Sequence, residues 1–147
     1  MFFDTTDLKN QEIYLSLYKT ADENKEKGYV PAYYFKIIRR FDDTIVGECD
    51  LRVGHNDNIK IGGNIGYEIY EHFRGNNYAS KACKLLFILA KKHRMEDVII
   101  TCSPENIASR KTCEYSGAKL LGIIDVPSWH EMFKTGQKKT CQYVISL

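Results

Sequence analysis

The part of the sequence that most restricts the fold is residues 68–103, where a strand-like run, a turn, a helix and an apolar run follow one another. The turn, Arg74-Gly75-Asn76-Asn77, leads into YASKACKLLFILAKKH, whose apolar residues occupy one stripe of a helix. The next run, EDVIITCS, is short and continuously apolar, as is typical of a central strand covered on both faces. This order predicts a strand-helix-strand crossover. The helical stripe contains Ala79, Ala82, Cys83, Leu86, Leu89 and Ala90.

The flanking segments predict further helices and strands around that crossover. NQEIYLSLYKTADENKEKG has apolar residues at helical spacing and is predicted to be helical. AYYFKIIRRFDDTIVGECDLRV predicts two strands joined at Asp42-Asp43, and IKIGGNIGYEIY predicts a third. NIASRKTCEYSG predicts a helix capped by Asn106 and ended by Gly117, and AKLLGIIDV and KKTCQYVISL predict closing strands. The fold class expected is α+β, in one domain spanning residues 1–147.

Composition narrows the class of protein. Of 147 residues, 44% are hydrophobic and 27% charged, which is ordinary for a soluble globular protein. The net charge of +2 is too small to indicate nucleic-acid binding. No secretion signal is expected, because acidic residues follow from Asp4 onward and no basic start precedes an apolar core. No membrane span is expected, because no apolar run is long enough. The five cysteines are scattered and odd in number, so we expect no zinc or other metal site, no disulfide framework and a reducing cytoplasm.

The turn before the long helix has the chemistry of a phosphate site. The first helical turn leaves backbone N–H groups without partners, and the helix dipole adds positive charge there. Gly75 and the two asparagines permit the backbone angles that let those N–H groups converge, and Arg74 adds a cation. A plain strand-to-helix turn with an arginine on its rim explains the same residues equally well.

Two segments in the right order resemble a known family. IGYEIYEHFRGNNYASKACKLLF followed by NIASRKTCEYSGAKLL is similar to the central signature of the GNAT superfamily of acyl-coenzyme A dependent N-acyltransferases. The likeness is nearest to the branch that acetylates protein amino termini, including ribosomal proteins, and small amines, and it covers residues 45–124. Asn77 stands where the family's loop pattern usually has glycine. The resemblance implies a GNAT fold: a mixed, mostly antiparallel central sheet with splayed parallel strands in its middle, flanked by helices.

The resemblance also implies acetyl-CoA as cosubstrate. Its pantetheine arm is expected between the strand ending at Glu68-Ile69-Tyr70 and the strand VIITC, with its diphosphate on the turn. The glycines of the third strand suit such an approach, although a β-bulge would use them equally well. For Asn106 a plain helix cap is the alternative to a cofactor contact. The residues expected to contact the cofactor are Ile69, Tyr70, Arg74, Gly75, Asn76, Asn77, Tyr78, Ala79, Asn106 and Ser109.

Transfer of an acyl group from a thioester to an amine needs a group that removes a proton from the amine. Glu68 is the first candidate for this base and Glu48 the second, and a surface charge is the alternative for each. Many family members place a tyrosine four residues before the helix-ending glycine, as the acid that protonates the leaving sulfur. Cys113 occupies that position here, so it is a candidate acid, with a buried packing role as the alternative.

The segment from Val126 to Gln137 is long for a strand connection and carries aromatic residues. Trp129 and His130 in it are candidates for binding the acceptor, with a dimer contact or simple cover for the core as the alternatives. His55, in an earlier turn, is a third candidate, and a plain hairpin turn is the alternative for it. The expected function is direct acetyl transfer to a small-molecule amine or a protein amino terminus, within a ternary complex and without nucleic-acid or membrane partners. A noncatalytic acyl-CoA sensor or assembly module is the rival interpretation.

Overall fold

One seven-stranded sheet organises the molecule, which we describe from a computed structural model covering residues 1–147. The strands lie in the order β1-β2-β3-β4-β5-β7-β6, and β4 and β5 form the parallel pair in an otherwise antiparallel sheet. This confirms the predicted α+β class and the crossover. The elements are β1 (Ile13–Ala21), β2 (Ala32–Arg39), β3 (Thr44–Arg52), α1 (Asp57–Gly62), β4 (Ile65–Ile69), α2 (Tyr78–Lys92), β5 (Asp97–Cys102), α3 (Ile107–Tyr115), β6 (Lys119–Asp125), α4 (Glu131–Lys134) and β7 (Lys139–Ser146).

Two local predictions were wrong. The segment predicted to be an N-terminal helix contains strand β1, which pairs antiparallel with β2. Its buried residues Ile13 and Leu15 alternate with more exposed ones, so the strand period describes the segment better than the helical spacing. The first part of the predicted third strand is instead helix α1, which begins because the Asn56 side chain accepts a hydrogen bond from the Ile59 amide at 2.9 Å.

The core lies between the sheet and helices α2 and α3, and 25 buried residues form its central cluster. All six residues of the predicted α2 stripe are buried, which confirms that the stripe faces the sheet. On the other face α1 contacts β5 and β7. The same face of β2, β3 and β4 is only partly covered and carries Tyr34, Lys36, Glu48, Asp50, Arg52 and Glu68; we call it the open face.

The parallel strands β4 and β5 touch at one point and then separate. Their register contains a single pair, Ile65 with Ile100, whereas β3 and β4 pair over five positions. Beyond Ile65 the sheet therefore opens into a wedge, as the resemblance implied.

Asn64 holds the closed end of this wedge. Its fully buried side chain donates to the carbonyls of Arg52 and Gly54, at 2.9 and 2.8 Å, and accepts from the Ile99 amide at 2.9 Å. Its backbone N–H donates to the Ile99 carbonyl at 2.7 Å. One residue thus ties β3 to β5 just before β4 begins.

We expect Asn64→Ala to lower the free energy of unfolding by about 3 kcal/mol, because it removes three side-chain hydrogen bonds and leaves buried backbone groups without partners. Urea unfolding followed by circular dichroism measures this. Asn58→Ala is the control, since Asn58 also donates two hydrogen bonds but lies nearer the surface. Equal stability of the two variants contradicts the role given to Asn64.

Gly47 sets the distance between β3 and β4 at the wide end of the wedge. A Cβ at this buried position would lie 2.2 Å from the Glu68 carbonyl oxygen and 3.1 Å from the Ile69 Cα. Gly47→Ala should therefore destabilise the protein by about 1–3 kcal/mol through backbone displacement. Gly122→Ala, in β6 with no neighbour within 4 Å of the new Cβ, should leave the unfolding midpoint nearly unchanged.

Candidate functional site

A cleft of about 600 Å³ opens where β4 parts from β5, on the face that carries α2 and α3. It is lined from one side by the end of β4 and the turn before α2, and from the other by α3. Nine of the ten residues predicted to contact a cofactor line it, although they are distant in sequence. These are Ile69, Arg74, Gly75, Asn76, Asn77, Tyr78, Ala79, Asn106 and Ser109.

Residues 75–79 form one wall of the cleft and supply unpaired backbone donors. The N–H groups of residues 75–80 make no hydrogen bond within the chain. Gly75, with φ +90°, and Asn77, with φ +60°, take left-handed backbone conformations at the turn, which glycine and asparagine tolerate. The Asn76 side chain donates to the Phe73 carbonyl at 3.0 Å and holds the turn. Free amides and the dipole of a 15-residue helix together favour an anion here.

Arg74 lies at the edge of these amides. Its Nε donates to the Ile69 carbonyl at 2.9 Å, which orients the guanidinium beside the cleft. The remaining guanidinium donors form no hydrogen bond with the chain, so they stay available to an anionic ligand.

Tyr70 was also predicted to contact the cofactor, but it does not line the cleft. Its backbone N–H donates to the Val46 carbonyl at 2.9 Å. Continued pairing with β3 thus occupies the Tyr70 N–H group, which a ligand would need as its hydrogen-bond donor.

Two hydroxyl groups meet on the α3 side of the cleft. Asn106 caps α3 by accepting from the Ser109 amide at 3.1 Å, and this fixes the first turn. The Ser109 hydroxyl hydrogen-bonds the Tyr67 hydroxyl, which lies 3.3 Å from the Ser109 carbonyl. Burial is the main cause of the raised pKa of Tyr67. The pair is therefore a neutral hydroxyl network between β4 and α3.

Sequence reasoning missed Tyr67 and much of the lining that α3 contributes. Tyr67 precedes Glu68 in β4, so strand alternation could have placed it on the opposite face, towards the helices. On α3 the missed residues recur at helical spacing, which was a usable signal. They are Ala108, Lys111, Thr112 and Tyr115.

Cys113 does not share that exposed side of α3. It is fully buried and does not line the cleft. The hydrogen bond with the Cys102 thiol, followed by burial, raises the pKa of Cys113. The geometry therefore favours the packing role over the candidate acid role, because helix periodicity turns residue 113 towards the sheet.

The two candidate bases are neighbours across strands on the open face. Glu48 of β3 and Glu68 of β4 are register partners. Glu48 forms both an ion pair and a hydrogen bond with Lys36, and the hydrogen bond raises the pKa of Lys36. Glu68 is exposed, lines the cleft and has no ion-pair partner within the chain. Of the two carboxylates, Glu68 is therefore the one free to interact with a ligand.

A second cavity, of about 720 Å³, lies at the far end of the open face, between α1, α4 and the ends of β1, β2 and β3. Two of the predicted acceptor residues line it. Trp129 is exposed, whereas His130 is buried and accepts from the Met132 amide through Nδ1 at 3.1 Å. Aromatic residues Tyr29 and Tyr34 complete its apolar lining.

His55, the third predicted acceptor residue, lies outside both cavities. Its Nε2 is 3.1 Å from Asp97 Oδ1, at the start of β5. Strand β5 runs away from this point towards the cleft, so the tertiary arrangement separates His55 from the wide end of the wedge.

The structure contains neither a cluster of metal ligands nor a helix that could span a membrane. No group of three His, Cys, Asp or Glu side chains is arranged to hold a metal ion. None of the helices combines the length and apolar character needed to cross a membrane.

Several solved acetyltransferase structures share this fold. A GNAT-family acetyltransferase from Bacillus anthracis aligns over 77% of the chain with 20% identity and a TM-score of 0.62. The Salmonella typhimurium enzyme that modifies the N-terminal serine of ribosomal protein L7/L12 aligns over 83% with 19% identity and a TM-score of 0.61. The microcin C7 self-immunity acetyltransferase, solved with acetyl-CoA and AMP, aligns over 79% with 19% identity and a TM-score of 0.63.

These similarities establish the fold, and they span 65%, 66% and 61% of the three neighbouring chains. No curated protein sequence matches the chain. The sequence profile of the acetyltransferase (GNAT) domain, however, matches residues 2–119, which include the wedge, the free amides and both walls of the cleft. Most of the chain, and all of the cleft, thus lies within one family pattern, and the protein belongs to the GNAT acetyltransferase family.

Proposed function

We propose that this protein is an N-acetyltransferase that moves the acetyl group of acetyl-CoA directly to a primary amine. The observation that carries the proposal is the row of five free amides, residues 75–79, at the mouth of a cleft that continues into a break in the sheet. A diphosphate supplies the acceptor oxygens that these donors need, and an extended arm with amide groups suits the strand edge left open beside β5.

The cofactor-binding roles follow from the lining of the cleft. Residues 75–79 would receive the diphosphate through backbone donors, assisted by the Arg74 guanidinium. The arm would lie along β4 beside Ile69, and its other side would face Asn106 and Ser109 at the start of α3. The thioester then reaches the wedge, where both faces of the sheet are accessible.

The chemistry divides between the two faces. Glu68 takes a proton from the acceptor ammonium, and Glu48 is the second candidate for this step. The amine nitrogen attacks the thioester carbonyl carbon, the carbon–sulfur bond breaks, and the nitrogen loses its second proton to solvent as the amide and the coenzyme A thiolate form. We assign protonation of the thiolate to the Ser109 hydroxyl, which is supported by Tyr67 and regains a proton from solvent in the same step. Positioning of both substrates supplies most of the rate.

The acceptor is a small-molecule amine or a protein amino terminus. The Salmonella neighbour, which modifies an N-terminal serine, supports the second class. We expect no nucleic-acid partner, because the net charge is only +2. We place the protein in the cytoplasm, because all five cysteines are free thiols. Exposed Trp129 makes the loop around α4 the candidate contact for a homodimer.

Transfer of acetyl groups from acetyl-CoA to a panel of small amines and amino-terminal peptides tests the function. Release of coenzyme A that depends on the amine, with acetylated product found by mass spectrometry, is the expected result. Tight binding of acetyl-CoA without transfer to any member would favour the rival, a noncatalytic acyl-CoA sensor or assembly module.

Gly75→Asp should weaken coenzyme A binding about tenfold or more, because a carboxylate then stands among the amides that receive the diphosphate. Isothermal titration calorimetry with coenzyme A measures the change. Gly136→Asp is a matched control, since both glycines have positive φ, of 90° and 99°, and neither has a neighbour within 4 Å of an added Cβ. Equal affinity in the two variants would reject the amide site.

Ser109→Ala should lower kcat about 100-fold, because it removes the proposed proton donor to the leaving thiolate. Affinity for coenzyme A should change much less, since the amide site is intact. Cys113→Ala is the comparison and should keep nearly full kcat, because that thiol is buried away from the cleft. The opposite pattern, with kcat lost only in Cys113→Ala, would return the acid role to the cysteine.

A further inference from the structure

A carboxylate that the transfer scheme does not use lies on the open face, beside the closed end of the wedge. Asp50 of β3 is the register partner of Gly66 in β4, the residue next to the single β4–β5 pair. Its Oδ1 lies 2.6 Å from the position that a Cβ of residue 66 would occupy. The carboxylate can therefore lie over the strand only because residue 66 is glycine.

This carboxylate is ion-paired with Arg52, but its hydrogen-bonding capacity is not filled. Arg52 Nε lies 3.0 Å from Oδ2, yet Oδ2 is buried and accepts no hydrogen bond of normal geometry. The same arginine donates through Nη1 to the carbonyls of Gly62 and Gly63, at 3.1 and 3.0 Å. Oδ1 also accepts no hydrogen bond and is not buried, and the side chain as a whole is 17% exposed. A ligand that donates hydrogen bonds can thus reach an acceptor that the chain leaves unsatisfied.

The surrounding charges favour a cation at this position. Lys36 neutralises Glu48, and Arg52 neutralises Asp50, so Glu68 is left as the uncompensated charge. Glu68 and Asp50 are diagonal neighbours on the open face, because they pair with Glu48 and Gly66 respectively. An ammonium between the two side chains would be attracted by the charge of Glu68 and could donate a hydrogen bond to Asp50 Oδ1.

A cavity with a mixed aromatic and charged lining adjoins two neighbours of this carboxylate, although Asp50 itself does not line it. Tyr34, the register partner of Asp50 on β2, and Arg52 both line the second cavity, of about 720 Å³. Trp129 and Tyr29 line it further out. The body of an amine whose charged end rests on Asp50 can therefore extend over Tyr34 into a partly aromatic space.

We propose that Asp50 binds the ammonium group of the acceptor, presents it to Glu68 at the wedge, and so selects acceptors that carry a primary ammonium on an apolar or aromatic body. This inference rests on the proposed acetyl transfer. Asp50 itself makes or breaks no covalent bond, and the proton leaves the ammonium for Glu68 as described above. The open face then delivers the acceptor, while the cleft delivers the thioester from the other side.

The experiment compares 2-phenylethylamine with its neutral counterpart 2-phenylethanol, titrated into the protein saturated with coenzyme A. The wild-type protein should bind the amine about tenfold tighter, as expected for a charge-assisted hydrogen bond. Asp50→Asn should reduce that preference to about threefold or less, with coenzyme A affinity unchanged. Asp57→Asn, which removes an exposed carboxylate of α1, should keep the full preference.

Gly66→Ala is a second variant, which keeps the Asp50 carboxylate but changes its position. Its Cβ must displace Asp50 Oδ1, so the preference for the amine should fall again. Thermal melting establishes that each variant is folded. A second arm, with a tripeptide amide bearing a free or a formylated amino terminus, distinguishes a protein amino terminus from a small amine.

The outcomes separate this inference from the proposed function. The role of Asp50 alone is overturned if coenzyme A binds but the amines bind no tighter than their neutral counterparts. The same conclusion holds if coenzyme A binds and the amines do not bind at all. An unchanged preference in Asp50→Asn overturns it as well. Failure of coenzyme A to bind the wild-type protein overturns the proposed function first.

Discussion

Two parallel strands, β4 and β5, separate after a single residue pair, and this separation creates both the cleft and its access to the open face. Ile65 and Ile100 form the whole β4–β5 register, and Asn64 secures that point with hydrogen bonds to β3 and β5. Because β3 continues to pair with β4, the divergence leaves an opening inside the sheet instead of a frayed edge. Backbone groups need hydrogen-bond partners, so the strand edges at this opening can be satisfied by water or by a ligand that supplies donors and acceptors.

The wedge joins two surfaces of different chemistry. On the helical side lie backbone donors at the start of α2 and neutral hydroxyl groups of Tyr67 and Ser109, which suit an anionic and amide-rich ligand. On the open face lie carboxylates, among them Glu68 and Asp50, which suit a cation. Strand alternation produces this division, since residues 67 and 68 point to opposite faces. Two substrates of opposite charge can therefore meet from opposite sides without competing for one entrance.

Elements with one dominant local signal were predictable. The apolar stripe of α2 and the turn chemistry from Arg74 to Asn77 needed no distant partner to be recognised. Where a residue's structure or contacts depend on a partner distant in sequence, they were not predictable. Strand β1 shares its spacing with a helix, and only pairing with β2 decides between them. Tyr70 was assigned to the cofactor, yet its amide is taken by Val46, and His55 is drawn to Asp97 at the other end of β5.

Residue types within short windows of the chain were enough to predict the crossover, the amide-rich turn and the likeness to the GNAT family. Tertiary structure alone decided which side chains meet. It brought Tyr67 to Ser109, turned Cys113 into the core and set Asp50 over Gly66. Strand register and helix packing relate residues that are far apart in the chain, and a local pattern of residue types contains no information about those distances.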